Sequence, residues 1–96
     1  MERYDIAIIG TGPGGISAAI TAKVRGKRLV LFGSRHLSEK LEKAHSILNY
    51  PGLSNISGPD LAQAFREQLD SLDIPITEKQ VTAIYAMGDY FVLQTP

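Results

Sequence analysis

Apolar positions along this chain change their spacing repeatedly, and each change marks an element. Tyr4 to Ile9 is a nearly continuous, β-branched apolar run, the mark of a strand buried on both faces. From Pro13 to Arg25 the pattern turns helical. Ile16, Ile20 and Val24 recur at four-residue steps, and Ala18, Ala19 and Ala22 keep the helix slim against a sheet. Gly26 is placed to end that helix. Leu29 to Phe32 is a second buried strand, so strand, helix and strand fall within about 30 residues, the length of one right-handed βαβ unit of a parallel sheet.

Beyond it the periodicity weakens. Leu37, Leu41, Ala44 and Leu48 are spaced to share one apolar edge over one or two helical turns. Pro51-Gly52 breaks the pattern as a turn, and Ser54 to Gly58 reads as loop. Ser57-Gly58-Pro59-Asp60 then opens a second main helix, with a cap, a first-turn proline and an acid near the dipole. Leu61, Phe65, Leu69 and Leu72 form its core stripe, and Gln63, Arg66, Glu67 and Asp70 its wet side. Ile74 to Thr77 predicts a short strand. Val81 to Met87 and Tyr90 to Gln94 alternate around Gly88-Asp89, an antiparallel hairpin with glycine first in the turn. The predicted class is therefore α/β: a Rossmann-like parallel core, a second helix and an added hairpin, incomplete as a domain.

Charge narrows the function classes. Ten basic and ten acidic residues cancel, so no electrostatic argument favours nucleic acid or an anionic membrane. No apolar run suits a membrane span or a signal segment, and the cytoplasm is the expected setting. Cysteine is absent, which removes disulfides, thiolate metal sites and thiol catalysis from this chain. His36 and His45 show no metal-ligand spacing, and His45 is expected to be a packing residue. Lys23, Arg25, Lys27 and Arg28 suit the negative end of the first helix; a docking patch for an acidic partner is the alternative.

The chemistry lies where the first strand meets the first helix. Gly10-Thr11-Gly12-Pro13-Gly14-Gly15 carries glycines spaced G-x-G-x-x-G at the junction such a turn requires. Gly10 permits the bend, Gly12 admits a pyrophosphate close to the backbone, and Gly15 lets the helix lie against its strand. Pro13 costs no hydrogen bond in a first helical turn. Free main-chain amides and the helix dipole, not a cationic side chain, would hold the anion. A dinucleotide is the expected ligand. At the end of the second strand, where an acid commonly reads the ribose, the chain has Gly33-Ser34-Arg35. Either the backbone and the Ser34 hydroxyl meet the ribose, or Arg35 binds a 2′-phosphate as in NADP sites. An NADP-binding βαβ unit and a nucleotide-binding module without turnover both stay open at this point.

Three segments together carry a resemblance. They are Tyr4-Asp-Ile-Ala-Ile-Ile-Gly-Thr-Gly-Pro-Gly-Gly-Ile-Ser-Ala-Ala, Asn49-Tyr-Pro-Gly-Leu and Ile56-Ser-Gly-Pro-Asp-Leu. In this order and spacing the chain resembles the N-terminal FAD-binding portion of low-molecular-weight thioredoxin reductases. The resemblance implies non-covalent FAD, with its pyrophosphate wrapped by Gly10, Thr11, Gly12, Pro13, Gly14 and Gly15. It implies that Gly33 and Ser34 meet the adenosine ribose, that Asn49 reaches the flavin or ribityl side, and that the backbone around Val81 meets the adenine edge. It also implies a flavin-dependent oxidoreductase, a thioredoxin-like partner and a homodimer. Ser38-Glu39-Lys40-Leu41 stands where the family usually has Gly-Gly-Gln-Leu, so only Leu41 matches, and Lys40 would bring a cation toward the flavin. That loop is similar to those of variant reductases, some of which take electrons from ferredoxin and not NADPH. The family's NADPH domain, its C-x-x-C pair and the C-terminal return of the FAD domain have no counterpart here. Residues 1–96 are thus expected to be the N-terminal segment of an FAD-binding domain, with no catalytic residue and no metal of its own, and inactive alone.

Overall fold

A computed structural model describes residues 2–96. The elements run β1 (Ile6–Ile9), α1 (Pro13–Val24), β2 (Leu29–Phe32), α2 (Glu39–Lys43), α3 (Gly58–Ser71), β3 (Ile76–Thr77), β4 (Ala83–Ala86) and β5 (Phe91–Gln94). β1, β2 and β3 form a parallel sheet in that order, with Ile6 opposite Leu29, Ile8 opposite Leu31, and Leu31 opposite Ile76. β4 and β5 pair as a separate antiparallel hairpin, Ala83 opposite Gln94 and Ala86 opposite Phe91. Gly88 takes φ +84° in its turn, as the glycine-first reading requires.

The core lies on one side of the sheet. Ile8 and Leu31 point from the strands to meet Ile16 and Ala19 of α1 and Leu61, Ala62, Phe65 and Leu69 of α3. The four residues predicted as the α3 stripe hold up, with Leu72 half-buried at its end. The α1 stripe does not. Val24 is 71% exposed, and the buried residues are Ile16, Ala19 and Ala22. A helix so rich in alanine and isoleucine has little amphipathic contrast, so the packed neighbours choose its buried face.

The strands correct a second expectation. β1 is shorter than the apolar run and is not buried on both faces: Ile8 alone is buried, and Ile9 is 54% exposed. Its back face, with Ala7 and Ile9, joins Val30 and Phe32 of β2 above a groove of about 660 Å³, closed across by Ile84, Phe91, Val92 and Leu93 of the hairpin. The hairpin stands opposite the sheet without filling the space between.

Helix ends follow local chemistry. Past α1, the Gly26 N–H donates to Lys23 O and the Lys27 N–H to Ala22 O, the paired bonds of a Schellman stop, with Gly26 at φ +76°. α3 ends the same way on Asp73 at φ +54°, with the Ile74 N–H donating to Leu69 O, and Ile74 is buried behind it. Nothing in the apolar spacing announces that second stop, because aspartate there replaces the usual glycine. At the start of α3 the Ser57 hydroxyl accepts the Asp60 N–H, the cap the sequence predicts. The shared apolar edge over residues 37–48 breaks up. Leu37 has φ +64° and stands outside any helix, α2 is one short turn capped by Ser38, and Leu48 is 76% exposed.

Candidate functional site

The C-terminal ends of β1, β2 and β3 converge, and there the glycine turn sits. The Gly10 N–H donates to Phe32 O at 2.8 Å and the Gly33 N–H to Thr77 O at 3.2 Å, which holds the three strand ends level. In parallel sheets ligands bind at this edge, where loops leave the strands. α1 begins at Pro13, with Gly12 as N-cap in extended conformation and no side chain capping it. Helix starts leave their first N–H groups without intrahelical partners. Among the described residues the amides of Thr11, Gly12, Gly14 and Gly15 donate no hydrogen bond. A Cβ built at Gly10, Gly12 or Gly14 would meet nothing within 4 Å. Unused donors thus stand at the positive end of a helix dipole, with open space beside Gly12 and Gly14, which fits a diphosphate without any cationic side chain.

Gly15 works inward. A Cβ there would lie 2.0 Å from Gly10 O, so glycine is what lets the helix press on the strand end. Gly33 is equally constrained, but by Thr11: a Cβ would fall 2.3 Å from Thr11 Cγ2. Thr11 is 3% exposed as a whole residue, and its side chain is turned into the protein. Its Oγ1 donates to Leu37 O at 2.8 Å and accepts the Ser34 N–H at 3.2 Å. The Thr11 hydroxyl is therefore taken up within the protein. Ser34 is exposed beside it, and its own Oγ accepts the His36 N–H at 3.1 Å, leaving the hydroxyl hydrogen for a ligand.

The other sequence-derived residues divide. Arg35, 80% exposed, pairs with Glu78 at 2.6 Å just beyond β3, so the cation proposed for a 2′-phosphate already faces a carboxylate. The acid at this end of the sheet, Glu78, follows β3 directly and does not belong to β2. Leu41 is 7% exposed and belongs to the core packed with α3. Lys40 is exposed on α2, and Asn49 is exposed in the loop between α2 and α3. No hydrogen bond among the described residues ties either to the glycine turn. Val81 is half-buried in the extended stretch before β4, and its N–H has no partner among the described residues.

Sequence reasoning missed two supports. Arg66, placed on the wet side of its helix, is half-buried; it pairs with Glu42 of α2, and its Nε donates to Arg35 O at 3.1 Å. It thereby braces the loop after β2 from behind. Tyr50 packs edge-on against Phe65 with ring centroids 5.5 Å apart, and Ile47 and Ile56 pair in an antiparallel bridge, so the Asn49 loop is held at its base. The aromatic after Asn49 was the available signal. Tyr4, at the opposite end of β1, has its phenol pushed above the usual range by a hydrogen bond to Glu2.

Comparison with known proteins agrees with this geometry. The family model described as FAD binding domain matches residues 5–87. A thioredoxin reductase of Ureaplasma parvum is 36% identical over 75 residues, covering 78% of this chain and 24% of that protein. A ferredoxin-flavin thioredoxin reductase of Clostridium acetobutylicum superposes with TM-score 0.95 at 52% identity, over 99% of this chain and 33% of the other. The thioredoxin reductase of Lactococcus lactis gives TM-score 0.87 at 32% identity, over 97% of this chain and 31% of the other. The chain thus spans about a quarter to a third of the relatives it matches. Their flavoprotein fold is the Rossmann-like α/β arrangement seen here, and among the described residues no helix is long and apolar enough to cross a membrane. A match that runs from residue 5 to residue 87 leaves little of the sequence outside it, and the chain belongs to the FAD-binding domain family.

Proposed function

We propose that the turn Gly10–Gly15 holds the diphosphate of FAD for a flavin-dependent, thioredoxin-reductase-like oxidoreductase. The observation that carries the reading is the row of unused amides at Thr11, Gly12, Gly14 and Gly15, with open space beside Gly12 and Gly14. In this reading Ser34 meets the adenosine ribose and the Val81 amide the adenine edge, while Asn49 serves the flavin side. Bound FAD supplies two-electron exchange at its isoalloxazine ring; this chain's residues bind and orient it. With no cysteine present, dithiol exchange falls to residues outside this sequence. Ferredoxin is the favoured electron donor over NADPH. The support is the 52% identity to a protein described as a ferredoxin-flavin thioredoxin reductase, together with Lys40 in a loop that departs from Gly-Gly-Gln-Leu. A thioredoxin-like disulfide is the partner, by similarity to the same relatives. A cytoplasmic setting and a homodimer belong to the same proposal.

Against the NADP alternative stands the pairing of Arg35 with Glu78, which a 2′-phosphate would have to displace. The test is an NMR titration of the chain with ADP, FAD and riboflavin. ADP and FAD are expected to shift the amides of Thr11, Gly12, Gly14 and Gly15 at sub-millimolar to millimolar concentration, and riboflavin to leave them in place. FAD should wash off on gel filtration, since a third of a reductase encloses little of a flavin. Amides of the turn that ignore ADP would overturn the proposal.

A further inference from the structure

We propose that Thr11 is a positioning residue for the nucleotide. Its buried hydroxyl fastens the glycine turn to the loop after β2, so that the diphosphate and the ribose meet one rigid unit. The inference rests on the dinucleotide reading above but concerns a side chain which that reading does not use. Thr11 sits second in a turn whose glycines leave room for a ligand, yet the residue is 3% exposed and its side chain is bonded to the loop after β2.

Its bonds all cross to the other loop. Oγ1 donates to Leu37 O at 2.8 Å, accepts the Ser34 N–H at 3.2 Å, and lies 3.2 Å from Ser34 O. A hydroxyl has one hydrogen and two lone pairs, so Leu37 O takes the hydrogen and the Ser34 N–H uses a lone pair. The methyl group lies under Gly33, where any Cβ would collide with it. Leu37, whose carbonyl receives the hydrogen, has φ +64°, a conformation a leucine adopts only when its surroundings impose it. Thr11 is part of what imposes it. Ser34, whose hydroxyl is the candidate ribose donor, is thereby fixed through its own amide. The glycine turn would otherwise relate to Ser34 only through the strand ends.

Removing the hydroxyl while keeping the shape should loosen the ribose end and spare the phosphate end. The experiment compares wild type, Thr11→Val and Thr11→Ser by NMR titration with ADP and with inorganic pyrophosphate, and by amide exchange at Ser34. Wild type and Thr11→Ser are expected to protect the Ser34 N–H and to bind ADP within about twofold of each other. Thr11→Val should lose that protection and bind ADP about tenfold more weakly, the usual scale of one buried hydrogen-bond loss, with pyrophosphate binding unchanged. Equal losses for ADP and pyrophosphate, or no loss for either, would overturn the positioning role. If Thr11→Val does not fold, a Ser34 amide that exchanges in wild type as fast as an open loop amide overturns it by itself. A wild-type turn that ignores ADP while Ser34 stays protected would sink the nucleotide reading and leave Thr11 a purely structural clasp.

Discussion

The two faces of the β1–β2 pair are equally apolar in sequence and very different in structure. On one side Ile8 and Leu31 are sealed by α1 and α3, with Ile16, Leu61 and Leu69 almost wholly buried. On the other, Ala7, Ile9, Val30 and Phe32 border an open groove whose far wall is the hairpin, and Phe91 on that hairpin is 68% exposed. Apolar content alone does not bury a residue; something must stand against it at van der Waals distance. The tight side is also the side that builds the site. Pressure of α1 on the end of β1, made possible at Gly15, aims the helix start outward over the strand ends.

The sharpest break in this contrast would come from the tight face. Leu61→Ala should lower unfolding free energy by about 3 kcal/mol, measured by urea denaturation, because the hole it leaves cannot collapse between two helices and a sheet. Gly15→Ala should cost about 2 kcal/mol, since its Cβ must displace the Gly10 carbonyl, and the same variant should lose the ADP-induced shifts in the turn. Ser57→Ala removes the cap of α3 and should cost about 1 kcal/mol by the same measurement. On the open side Phe91→Ser should change stability by less than about 0.5 kcal/mol, and a larger loss would mean the groove is closed in solution. Arg35→Ala breaks only an exposed ion pair; its effect should fall within about 0.5 kcal/mol, with ADP binding unchanged.

Much of the fold was legible because its signals are local. The stop at Gly26, the cap at Ser57, the stripe from Leu61 to Leu69 and the Gly88 turn each depend on residues within a few positions of one another. The glycine spacing placed the turn and its open side for the same reason. What failed was whatever required knowing a distant neighbour. Val24 continues a flawless four-residue repeat and faces water, whereas Ala19 and Ala22 are buried because the sheet and α3 pass there. Leu41, read along one edge with Leu37 and Leu48, lies in the core while Leu48 is exposed, since α2 docks its one turn against α3. Thr11 was read only for its main chain, and its side chain is held by a loop more than twenty residues away, which no local spacing announces.

By itself the sequence determined that a strand must break into a helix at Gly10–Gly15 and that bare amides would be left there, because glycine, proline and the helix start act within a single turn of chain. The tertiary structure alone decided which apolar residues are shielded, that Glu78 answers Arg35, and that Thr11 joins two loops. Those outcomes depend on which segments meet in space, and no spacing along one segment encodes its partner.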